Sequence, residues 1–153
     1  MRSYVIGCDN AAVGLKNTLK KELEDMGLSV EDVGTFSEDD KTAYPLVAKK
    51  ACDRVIASGY EKRAVLICGT GIGMCISANK CKGIRAAVCH DTFSARRSIL
   101  SNDGNVICFG ARVIGPELSK VILHEWVGLE FVDGPSTSKV QEIICLEAQN
   151  FRV

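Results

Sequence analysis

One short run carries most of the chemical potential of this chain: Cys68-Gly69-Thr70-Gly71-Ile72-Gly73-Met74. Glycine at alternate positions lets successive backbone N–H groups converge on one point, which makes an anion-binding nest. A thiol at the head of such a turn, where a helix begins, has its thiolate favoured by the positive end of the helix dipole. A thiolate beside converging donors can remove a proton α to a carbonyl while the donors hold the resulting enediolate. Cys68 would be the base, and Gly69, Gly71 and Gly73 would supply donors. The competing reading is a small apolar residue closing a buried strand. The residues alone leave both open. Two phosphate motifs are excluded: no Gly-Lys-Ser or Gly-Lys-Thr follows, and the spacing is G-x-G-x-G, not G-x-G-x-x-G.

A turn of this kind needs a strand before it and a helix after it. Ala64 to Cys68 is an apolar run uninterrupted by charge, as expected of a strand covered on both faces. Further strands are expected at Tyr4–Cys8, Ser29–Val33, Arg85–Val88 and Asn105–Phe109. Leu15, Leu19, Leu23 and Met26 recur at helical spacing among Lys16, Lys20 and Glu24, with Gly27 as the stop. Helices are also expected from Tyr44-Pro45 onward, and over 91–100, 116–129 and 139–150. About five strands alternating with helices predict an α/β, Rossmann-like doubly wound sheet, mostly parallel, in three αβα layers. An irregular stretch, 132–137, precedes the last helix and would let it pack on a neighbouring subunit. In such sheets ligands bind beyond the carboxyl ends of the strands. That rule selects Asp9-Asn10, the turn after Cys68, and His90-Asp91. His90 has two readings, a structural residue at a strand end or an acid–base group.

At 153 residues, with 46% hydrophobic and 25% charged, the chain suits a single domain over 1–153. Nineteen Lys and Arg balance nineteen Asp and Glu, so charge gives no reason to expect a nucleic-acid or membrane partner. With no membrane-length apolar run and no signal peptide, a cytoplasmic protein is expected. The eight cysteines form no C-x-x-C pair and the two histidines are not paired, so no metal site is expected.

Several stretches resemble the type B ribose-5-phosphate isomerases and the galactose-6-phosphate isomerase subunits. They are Ile6-Gly7-Cys8-Asp9, Asp32-Val33-Gly34-Thr35, Tyr44-Pro45, Leu66 to Gly73, Ala78-Asn79-Lys80, Gly83 to Ala86, Asn102 to Val106 and Gly110 to Gly115. The resemblance implies a cofactor-free aldose–ketose isomerase acting on a phosphorylated small sugar. It also implies a homodimer or tetramer with sites at the subunit interface. It makes Cys68 the general base, Thr70 a residue that acts at the reacting end, and the amides of Gly69 to Gly73 the enediolate cradle. Asp9 and Tyr44 would line the sugar, Arg112 would face the phosphate, and Asn102 would come from the partner chain.

The departures are as informative. The family commonly has histidine where this chain has Asn10. Its ring-opening histidine stands where this chain has Ser101. Of the phosphate-binding Arg-His-x-x-Arg, this chain keeps a cation only at Lys139, with Pro135 and Ser136 before it. Lysine is a point charge without the bidentate fork of arginine. His90 becomes the leading replacement for the ring-opening group. Family weight puts ribose 5-phosphate first as substrate. A tetrose 4-phosphate is an alternative, because its O4 is esterified and no furanose ring can close. A third reading is the cysteine-bearing half of a hetero-oligomer completed by an arginine-bearing homologue, and a fourth is a non-catalytic sugar-phosphate-binding paralogue.

Overall fold

The structure is a computed structural model describing residues 2–151. Five strands form one parallel sheet: β1 (Tyr4–Cys8), β2 (Val30–Asp32), β3 (Arg63–Cys68), β4 (Ala86–Val88) and β5 (Val106–Gly110), in the order β2-β1-β3-β5-β4. The three inner strands are wholly buried, which accounts for their near-continuous apolar sequences. The helices are α1 (Val13–Asp25), α2 (Tyr44–Ala57), α3 (Ile72–Ala78), α4 (Thr92–Leu100), α5 (Pro116–Val127) and α6 (Thr137–Asn150).

Alternation along each strand divides the core in two. Val65 and Ile67 of β3 join Leu19, Leu23, Ile99, Ile122 and Trp126 from α1, α4 and α5. Ala64, Leu66 and Cys68 face the other way, toward Val47, Ala51 and Val55 of α2 and Met74 of α3. Cys68 therefore lies on the α3 side of the sheet. The chain leaves β1 toward β2 on one side, and β3 lies on the other. The crevice between the carboxyl ends of β1 and β3 is the topological switch point, where ligands of such sheets bind.

Local signals set most boundaries. Gly27 adopts φ 77°, and the Gly27 and Leu28 N–H groups donate to the Glu24 and Leu23 carbonyls at 2.9 and 3.1 Å, a Schellman stop. Asp9 caps a single 3-10 turn, Asn10–Ala12, that leads into α1. Pro116 opens α5. The last helix begins two residues before its expected start. It buries only Val140, and Glu147 accepts from the Gly83 N–H at 2.6 Å. Ile143, Ile144 and Leu146 stay partly exposed along it.

Two charges are buried against expectation. Arg63 begins β3, donates to the Leu129 carbonyl at 2.7 Å and pairs with Glu130 at 3.0 Å. Lys16, one of the polar residues around the first helix in sequence, is fully buried, with its ammonium 2.8 and 2.9 Å from the two Asp32 oxygens. Asp32 also accepts from the Gly34 N–H at 2.9 Å, and the Phe36 ring lies 4.5 Å from the ammonium. This pair ties α1 to the loop after β2. Removing Lys16 leaves the buried Asp32 carboxylate with only the partly exposed Lys20 ammonium, 3.8 Å away, for a counter-charge. Lys16→Ala should therefore lose about 3–5 kcal/mol of stability in urea denaturation, whereas a loss below about 1 kcal/mol, typical of surface pairs, would contradict the ion pair's role.

Candidate active site

Cys68 closes β3 beside Gly110 of β5 and is 4% exposed. Its Sγ accepts a hydrogen bond from the Gly71 N–H at 3.1 Å. The turn that makes this possible lies directly on the end of β5. Gly71 has φ 78°, and a β-carbon there would stand 2.9 Å from the Phe109 carbonyl carbon. A β-carbon on Gly110 would stand 2.7 Å from the Thr70 backbone. The Ala111 and Arg112 N–H groups donate to the Cys68 and Gly69 carbonyls at 2.9 and 3.0 Å, completing the stitch. Thr70 is exposed, and its hydroxyl accepts from the Ile72 N–H at 3.3 Å. The next N–H groups of α3, those of Gly73 and Met74, have no acceptor within the helix and are available to an anion.

Neighbouring loops supply the surroundings. The Asp9 N–H donates to the Ile67 carbonyl at 3.1 Å, which sets Asp9 at the mouth of the β1–β3 crevice. Burial pushes the Asp9 carboxyl up, opposed by the Ala11 N–H bond and the Arg112 guanidinium. Arg112 passes over Gly69, its Nη1 3.4 Å from where a β-carbon would be. The Tyr44 ring covers Gly73 at 2.6 Å by the same measure, so any side chain at 73 would displace it. Asn10 donates to the Glu38 carbonyl at 3.3 Å.

His90 reaches the same edge, with a specific attachment. Its Nε2 accepts from the Gly110 N–H at 2.9 Å, so its proton is on Nδ1. Burial pulls its pKa down, opposed by Asp91. Asn102 and Lys139 are at the other edge. Asn102 follows α4 and precedes β5, lining a 360 Å³ cavity with Ile84, Ile143 and Phe151. Lys139 lies in the first turn of α6, which is anchored beside Gly83, before β4. The length of β3, about 16 Å, separates that edge from Cys68, so neither side chain meets the sulfur of its own chain. Ser101, where the resemblance puts the ring-opening histidine, is also there, its hydroxyl accepting from Arg97.

Sequence reasoning passed over Gly110, Cys75 and Asn79 as site residues. The Cys75 thiol is lowered to about 7, chiefly by a hydrogen bond with Cys108 and further by the Val88 N–H and Asn79. By contrast, burial raises Cys8 and Cys89 to about 11. The available signal was the i, i+4 spacing of Cys75 and Asn79 behind the glycine turn. Among the described residues no three His, Cys, Asp or Glu side chains converge as a metal site.

The model of the Ribose/Galactose Isomerase family matches residues 4–143. The chain belongs to this family. D-erythrulose-4-phosphate isomerase 2 of Mycolicibacterium smegmatis is 51% identical over 94% of this chain and 95% of its own length. The D-erythrulose-4-phosphate isomerase of Pectobacterium atrosepticum is 49% identical, covering 97% of each chain. Among solved structures, Clostridium thermocellum ribose-5-phosphate isomerase B superposes with a TM-score of 0.91 at 35% identity, covering 96% of this chain and 98% of the other. The span that the Ribose/Galactose Isomerase model matches includes the whole glycine turn after β3.

Two outcomes follow from the geometry. Gly71→Ala combines an unfavourable φ with a backbone clash. It should cost about 1–3 kcal/mol and most of the activity, whereas a fully active variant would show that the turn has another way to fold. His90 accepts from Gly110 only while neutral, so its contribution to stability is present above 6.5 and is lost as pH falls through its lowered value. An NMR titration should find His90 titrating below 6.5 with the Gly110 amide shifting in step; an elevated value would contradict the hydrogen bond.

Proposed function

We propose that the chain interconverts an aldose and a ketose tetrose 4-phosphate, erythrose 4-phosphate and erythrulose 4-phosphate, with Cys68 as the base. The observation that carries the choice of substrate is Ser101. Its hydroxyl is bonded to Arg97, and a serine hydroxyl, with no pKa near neutrality, is not a general acid–base for ring opening. A sugar whose O4 carries the phosphate has no furanose ring to open and needs no histidine there. The two erythrulose-phosphate isomerases among the relatives support the same reading. The ribose 5-phosphate expectation rests on the family as a whole and lacks such a residue.

In the forward direction the Cys68 thiolate takes the proton from C2 of the aldose. The electron pair moves through the new C1–C2 double bond onto O1, where the N–H groups of Gly69 to Gly73 hold the enediolate. Thr70, at the mouth of the turn, helps move the proton between O1 and O2, and Cys68 returns its proton to C1. Asp9, Asn10 and Tyr44 hold the sugar hydroxyls, and Arg112 takes the phosphate. His90 holds Gly110, and through it the turn. Asn102 and Lys139 serve the site of a neighbouring subunit, because each lies a strand length from its own Cys68. A dimer, with the partly exposed face of α6 against its partner, is the assembly this requires.

A panel of aldose phosphates tests the substrate. The purified chain should turn over erythrose 4-phosphate with kcat/KM at least about tenfold above ribose 5-phosphate, the discrimination one carbon can supply. Cys68→Ala should lose about 10²–10⁴-fold in kcat. Preference for ribose 5-phosphate would overturn the tetrose reading, and full turnover by Cys68→Ala would overturn the base. Activity appearing only on mixing with an arginine-bearing homologue would make the chain half of a hetero-oligomer.

A further inference from the structure

The sheet ends at β4, and its outer edge is closed by a side chain. Among the described residues β4 pairs only with β5. The Asn79 amide bonds both main-chain groups of Ala86: its Nδ2 donates to the Ala86 carbonyl at 3.0 Å and its Oδ1 accepts from the Ala86 N–H at 2.9 Å. This is the pair of bonds that another strand would make. The same Nδ2 lies 3.5 Å from the Cys75 sulfur, which in turn donates to the Ala86 carbonyl at 3.4 Å. Asn79 is the C-cap of α3, its own N–H donating to the Cys75 carbonyl at 3.1 Å.

An edge-covering amide could come from any nearby loop. This one sits on the helix whose other end is the glycine turn. α3 is seven residues long, about 10 Å, too short to absorb a rotation along its length. Met74 and Ala78 are its buried residues, with Cys75 half-buried against the same core, while Ile72 and Ile76 are more than half exposed, so its packed face is narrow. Its amino end delivers the Gly71 N–H to Cys68, and its carboxyl end is fastened to β4 by two directional bonds.

We propose that Asn79 is a positioning residue for the reaction: its amide, bonded to Ala86 on the edge strand, sets the rotation of α3 and so aims the N–H groups of the glycine turn at Cys68. The proposal rests on Cys68 being the base, and it predicts an effect on the sulfur that edge closure alone would not produce.

The test uses the full chain as Asn79→Ala and Asn79→Asp, with Cys68→Ala beside them. Aspartate keeps the acceptor for the Ala86 N–H and sets an oxygen against the Ala86 carbonyl in place of the donor, which gives a second, near-isosteric variant should alanine fail to fold. In each folded variant, kcat and KM are measured on erythrose 4-phosphate. The rate of iodoacetamide addition at Cys68 is read at pH 7 by fragment-ion mass spectrometry, which separates it from Cys75. Asn79→Ala should slow Cys68 alkylation and lower kcat by about three- to tenfold, the worth of one or two hydrogen bonds, with KM nearly unchanged. Asn79→Asp should move both in the same direction. Wild-type alkylation of Cys68 in a folded variant, whatever its melting temperature or kcat, would overturn the proposal and leave Asn79 as an edge closure only. If alkylation slows while Cys68→Ala still turns over substrate, the positioning stands and the base assignment falls.

Discussion

The turn after β3 rests on the end of β5 with backbone against backbone, leaving no room for a β-carbon at Gly71 or Gly110. That contact fixes where the chain can go after Cys68, and it brings the Gly71 N–H to the sulfur. The other features of the site follow from it. His90 secures Gly110 from the far side, and the Ala111 and Arg112 amides close the turn from below. Arg112 can then pass over Gly69 because no side chain is in the way. Preorganised donors of this kind need not reorient as charge develops on the substrate oxygen, which is where such a site gains its rate.

Much of this was legible in the sequence. The glycine turn stood out because alternate glycines after an uncharged apolar run have few other uses, and the sheet followed from short apolar runs alternating with helical periodicity. Gly27 and Pro116 marked their helix ends because their backbones permit little else there. What stayed hidden was pairing at long range. Lys16 looked like one more polar residue on a helix until Asp32, sixteen residues on, came to meet it. Arg63 fell outside the apolar run that marked the strand, and its partners, Leu129 and Glu130, are more than sixty residues away. The edge-closing role of Asn79 was invisible for the same reason, since Ala86 offers only its main chain. His90 could be placed at the functional edge from sequence, but its attachment to Gly110 could not.

The distribution of the predicted residues over two edges of the sheet has a physical reading. Cys68, Asp9, Tyr44 and Arg112 gather at the carboxyl ends of the strands, and Asn102, Ser101 and Lys139 lie at the amino ends. A rigid parallel sheet cannot bring its two edges together. The proposal that Asn102 and Lys139 serve a neighbouring subunit follows from this separation. In the arrangement proposed above, a residue such as Ser101 can change without disturbing the turn after β3, because the two lie at opposite ends of the sheet.

Solvent exchange at the substrate carbon tests that proton transfer most directly. In deuterated water, proton NMR of erythrulose 4-phosphate with the wild-type chain should show one of the two C1 hydrogens replaced stereospecifically, because the enediolate forms and is reprotonated from Cys68. With Cys68→Ala that exchange should fall to the rate without enzyme. Stereospecific exchange persisting in the variant would mean that another group carries the proton, and the account built on this thiol would be wrong.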